Sequence, residues 1–137
     1  MLLDKESMFS EAQVPTLTNA AETDSENVLD WKSHGNDIDH VLRFFVLNTQ
    51  TAASAGAATL TITFKTSADG VTYTTLKTYT AIALATLAAG TFLLNNEALP
   101  SGLLRYNKLT YTVGGADFTT GPKLTAGLIR NDGYVAR

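Results

Sequence analysis

The chain has 137 residues, 45% hydrophobic and 17% charged, with a net charge of −3 and no cysteine. That is one domain's length, and the missing thiols exclude a disulfide framework, a thiolate nucleophile and a cysteine zinc site. Nine acids face only Lys5 and Lys32 in residues 1–40, whereas four acids face eight scattered bases beyond, a pattern that argues against nucleic-acid binding.

Residues 1–27 read as an extended amino-terminal arm, because Pro15 and the polar run Asn19 to Glu26 break any helix. The opening MLLDKESMF carries Asp4 and Glu6 and lacks the long apolar stretch of a signal peptide. A short strand is expected over Asn27 to Trp31. His40 to Asn48, HVLRFFVLN, has apolar residues on both faces, as a central sandwich strand does. Gln50 to Ala58 is a loop of small residues, mobile by composition. From Thr59 to Thr80 two threonine-rich runs flank Ser-Ala-Asp-Gly. Leu60, Ile62 and Phe64 alternate with threonines and Lys65, so one face is buried and the other wet. Asp69-Gly70 predicts a tight hairpin into a second strand carrying Val71, Tyr73, Leu76 and Tyr79, whose apolar phase slips between Tyr73 and Leu76, which marks a bulge or a second packed face.

Ala81 to Ala89 suits either a helix or a strand and turn, and the surrounding strands favour the second. Thr91 to Leu94 is a further strand, and Pro100-Ser101-Gly102 a turn. Leu104 to Val113 places Leu109, Tyr111 and Val113 on one face. Gly114 to Pro122 forms a loop, and Leu124 to Arg130 closes the sheet. The uncharged stretch after Lys77 is interrupted by threonines, Gly90 and Asn95-Asn96, so no membrane span is expected. Seven or eight short strands predict an all-β chain, a jelly roll or other β-sandwich over residues 28–137 that follows the arm. Phe44, Phe45, Phe64, Leu109 and Tyr111 are the expected core anchors, each contributing about 1.5–3 kcal/mol when buried. No cofactor is needed to hold such a core.

The residues offer little chemistry. Asp37, Asp39 and His40 could contribute to a metal site, but strand alternation separates His40 from the two aspartates. Asp30, Ser33 and His34 are too close in one loop to form a nucleophilic triad. The loop Gly114 to Lys123 leads into a strand, whereas a phosphate cradle needs a helix. Glu97 and Asp117 have nothing that couples them as a glycosidase pair. Trp31, Tyr73 and Tyr106 could bind a sugar or anchor a protein contact. The expectation is therefore of no catalytic, cofactor or metal residues and no enzyme.

Three stretches carry a resemblance: MLLDKESMFSEAQ, NVLDW, and LPSGLLRYNKLTYTVGGADFTTGPKLTAGLI. They are similar to the capsid cement, or decoration, proteins of short-tailed bacteriophages. The resemblance implies a jelly-roll virion protein on the capsid exterior, made in the host cytoplasm. Such a protein would bridge neighbouring major capsid protein subunits as a homo-oligomer, a dimer rather than a trimer. Leu2, Leu3, Met8 and Phe9 on the arm are the expected capsid contacts, and an edge strand near Arg105 and Tyr106 the expected self-association site. A carbohydrate-binding jelly roll of a phage tail or appendage is the alternative, with a small hydrolase last.

Overall fold

The computed structural model describes residues 8–30, 42–79 and 81–130. Ten strands occur among them: β1 (Met8–Gln13), β2 (Glu22–Asp24), β3 (Leu29–Asp30), β4 (Leu42–Asn48), β5 (Thr59–Ser67), β6 (Thr74–Thr78), β7 (Ile82–Ala83), β8 (Thr91–Ala98), β9 (Tyr106–Gly114) and β10 (Leu124–Arg130). One 3₁₀ turn, Leu84–Thr86, follows β7. One sheet runs β1-β10-β4-β8, the other β2-β9-β5-β6, with β3 also pairing β9 and β7 pairing β5. All the pairings are antiparallel.

The pairing order is nested: β5 with β6, β4 with β8, β2 with β9, β1 with β10. One long hairpin has thus been folded over into two sheets, which is the jelly roll the strand pattern predicts. The expected boundary at residue 27 is wrong. Residues 8–13 form an edge strand against β10, and residues 22–24 pair with β9. The polar composition of this segment suits an edge strand, whose second side meets water, so polarity alone does not separate an arm from an edge.

The core lies between the sheets. Leu60, Ile62 and Phe64 of β5 and Leu109, Tyr111 and Val113 of β9 point into it, as alternation requires. Four rings cross it edge to face: Phe9 on Phe64 at 5.8 Å, Phe64 on Phe44 at 5.6 Å, and Phe44 on Tyr79 at 5.8 Å. Such pairs add about 0.5–1.5 kcal/mol beyond their burial. Phe45 is also buried, but on the other face of β4, where it meets Phe92 of β8 at 6.1 Å. The outer face of the β5–β9 sheet is a ladder of hydroxyls, with Thr61 opposite Thr112 and Thr63 between Thr110 and Thr78.

The phase slip before Leu76 has a physical basis. Phe64 pairs with Lys77 and Lys65 with Thr75, so Leu76 is one residue too many, bulged inward onto the core. The tight turn does not form. β5 ends at Ser67 and β6 begins at Thr74, leaving residues 68–73 as a longer loop. Only Gly70 in it takes a positive φ, +78°, whereas a two-residue type I′ turn needs two such residues.

Candidate docking surface

Strand register decides which loops share an end of the sandwich. Tyr106 pairs with both Asp30 and Ser67, whereas Gly114 pairs with Thr59 at the far end. The β5–β6 loop, the β8–β9 loop and β3 therefore cluster at one end of this sheet. Three large apolar side chains stand exposed there: Val71 at 82%, Val28 at 44% and Leu104 at 44%.

Each of the three sits on backbone that is held in place. Asp69 accepts hydrogen bonds from the Val71 and Thr72 amides at 2.9 and 3.0 Å and from the Ser67 hydroxyl at 2.8 Å. Ser67 Oγ in turn accepts from the Asp69 and Gly70 amides. These bonds, the Val71 amide foremost, lower the Asp69 carboxyl to a pKa of about 2. Leu104 is held by its amide donating to Thr66 Oγ1 at 2.8 Å and by Asn107 Nδ2 donating to its carbonyl at 2.9 Å. Thr66 and Asn107 are themselves buried and joined at 2.8 Å. Val28 lies between the Asn27 amide, bonded to the Phe9 carbonyl at 2.9 Å, and β3.

Two tyrosines support this end. The Arg105 guanidinium lies 4.9 Å from the Tyr106 ring centre, and Lys108 Nζ lies 4.1 Å from that of Tyr73. Both cations also reach carboxylates, Arg105 binding both oxygens of Asp30 at 2.8 and 3.0 Å and Lys108 meeting Asp24 at 3.0 Å. The hydrogen bond that Arg105 donates to Asp30 raises the Arg105 pKa, and desolvation, with the nearby Asp24 charge, raises that of Tyr73. A Cβ added at Gly70 would sit 3.4 Å from the Tyr106 ring. The loop tip, the two rings and two ion pairs form one connected unit.

The expected site residues fall differently. Leu2 and Leu3 lie outside the described residues. Phe9 is fully buried against Phe64 and Met8 is 3% exposed, so neither is available as a capsid contact on an arm. Their strand, β1, belongs to the sandwich, which takes the apolar side chains inward. Nor is there an edge strand at Arg105 and Tyr106, because β9 has β2 and β3 on one side and β5 on the other. Trp31, Ser33, His34, Asp37, Asp39 and His40 lie outside the described residues, and Asp30 is engaged with Arg105. Among the described residues no group of three His, Asp or Glu could hold a metal, and no helix is long and apolar enough to cross a membrane. Glu97 is on β8, and Asp117 caps the Asn19 amide at 2.7 Å in the β9–β10 loop. For a sugar platform the tyrosines are poorly disposed, since each ring already carries a cation.

The Bbp16 family matches residues 9–130, which is the sandwich from its first strand to its last. The chain belongs to the Bbp16 family. This is a phage-related family, and the chain is a phage structural protein with an all-β fold. No curated protein matches the chain. Within this Bbp16 sandwich, Val71, expected among the apolar positions of the second hairpin strand, instead lies 82% exposed in the loop before β6.

Proposed function

We propose that this Bbp16 chain is a capsid cement protein. It binds the outside of the phage shell, associates with itself, as a dimer rather than a trimer, and bridges neighbouring major capsid protein subunits. The observation that carries the reading is the end of the sandwich at Val28, Val71 and Leu104. A phage structural protein there holds exposed apolar side chains on hydrogen-bonded backbone, which suits standing contact with another protein. Preorganised contacts lose little conformational entropy on binding.

A clamp of this kind needs grip alone. A protein that binds only the assembled shell stabilises it by RT ln(1 + [L]/Kd), about 2.7 kcal/mol at a hundredfold excess over Kd. Touching two subunits adds avidity, because the second contact is intramolecular. Purified chain added to shells that lack it should raise the temperature at which they release DNA. Unchanged release, with the chain found only on the tail or baseplate, would end the cement reading and leave a structural role elsewhere in the particle.

A further inference from the structure

We infer that the Asp69–Gly70 peptide is a latent site of aspartate-to-isoaspartate rearrangement, and that Ser67 holds it shut in the folded chain. The inference is independent of the cement reading and rests on the β5–β6 loop alone. The chemistry is intramolecular and needs no co-reactant but water. The Gly70 nitrogen attacks the side-chain carboxyl carbon of Asp69 and forms a C–N bond. The Cγ–O bond breaks, and the oxygen leaves as water with the amide proton and the acid proton. Water then opens the five-membered imide. Opening at the side-chain carbonyl restores aspartate, and opening at the main-chain carbonyl leaves the chain running through Cβ and Cγ. That product lengthens the main chain by one carbon at the tip that carries Val71. Glycine suits the step because no side chain shields its nitrogen, and both Asp69 and Gly70 are exposed.

Three features of the loop oppose the first bond. The Gly70 amide, which must give up its proton to attack, donates it to Ser67 Oγ at 2.9 Å. The carboxyl must be neutral to release water. Yet its Oδ1 accepts from the Val71 and Thr72 amides and from the Ser67 hydroxyl, bonds that favour the ionised form. Closing the ring also requires the side chain to rotate about χ1, which three bonds on one oxygen resist. Ser67 is the residue common to these features. It is 2% exposed, accepts from the Asp69 and Gly70 amides, and gives its own proton to Asp69. That makes it a positioning residue for a bond in which it takes no part.

The test follows isoaspartate in wild type, S67A and S67T at neutral pH, well below the melting temperature of each. Trypsin releases residues 66–77 between Lys65 and Lys77, so Asp69 is read apart from the second Asp-Gly pair, Asp132–Gly133. Electron-transfer fragmentation locates the rearranged bond. Folded wild type should convert at least about tenfold more slowly than the same chain in urea, a comparison that needs no variant. Folded S67A should come within about threefold of the urea rate, and S67T, which keeps the hydroxyl, should return to within about threefold of wild type. Folded wild type that converts as fast as in urea overturns the protection. No isoaspartate at Asp69 in urea overturns the site. Folded S67A as slow as wild type, or folded S67T as fast as S67A, overturns the role given to Ser67.

Discussion

The two ends of this sandwich are built from different materials. The end that carries the β1–β2, β4–β5 and β9–β10 loops is sealed by backbone. Ala52 donates to the Leu87 carbonyl, Ala53 and Thr120 exchange bonds, Phe118 donates to Leu17, and Asp117 ties Asn19 and Ser54. Small residues make the approach possible. A Cβ on Gly115, whose φ is +77°, would stand 2.6 Å from the Ala57 carbonyl oxygen, and one on Gly121 would stand 2.4 Å from Leu17. The opposite end is held by side chains, through Asp69, Thr66, Asn107 and the two cation–tyrosine pairs, and leaves three apolar groups in water. One end is closed by backbone and exposes Val14; the other is tied by side chains and exposes Val28, Val71 and Leu104.

Substitutions should separate the two ends, beginning with the sealed one. G115V meets both a backbone clash and an unfavourable φ, each costing about 1–3 kcal/mol. It should lower the melting temperature clearly, while the fraction that folds still binds shells. Between the ends, Y111F removes the buried hydrogen bond of 2.8 Å to Ser10. Ser10 keeps Gln13 as a partner at 2.7 Å, so the loss should be about 1 kcal/mol by denaturant titration. V71D, at the open end, should move stability by no more than about 0.5 kcal/mol. If it destabilises as strongly as G115V, the open end is structural and the contrast fails.

Titration sharpens the same contrast. Asp69 has its folded pKa lowered to about 2 from 3.8. The stabilisation it lends the loop is therefore complete above about pH 4 and drains away as pH falls through 2. Amide exchange at Val71 should report this loss before the core opens. Tyr111 and Tyr79 are shifted the other way, upward from 10.0 by burial. Their contribution is whole below pH 10 and declines as pH rises beyond it. The phenolate signal of Tyr79 and Tyr111 should rise only with unfolding, and their free titration at pH 10 in the folded protein would contradict their burial.

Much of the fold could be read from the residues because alternation is a strong constraint. Leu60, Ile62, Phe64, Leu109, Tyr111 and Val113 went to the core as their period of two demands. The slip at Leu76 became a bulge, for an extra residue in one strand has nowhere else to go. Edge strands were harder. Glu11, Gln13, Glu22 and Asp24 make β1 and β2 polar, and the pairing that orders them comes from β10 and β9, far along the chain. Small residues in 50–58 suggested mobility, yet they are what lets that loop be bonded to its neighbours. The open end was almost invisible, since only strand register brings β3, the β5–β6 loop and the β8–β9 loop to one end of the sheet.

The most direct measurement is an electron cryo-microscopy map of the phage particle with this chain traced in it. The cement account predicts density on the outer shell, bridging neighbouring subunits, with the end bearing Val28, Val71 and Leu104 turned toward them. Density confined to a tail or baseplate, or a shell-bound chain with that end facing solvent, would contradict it.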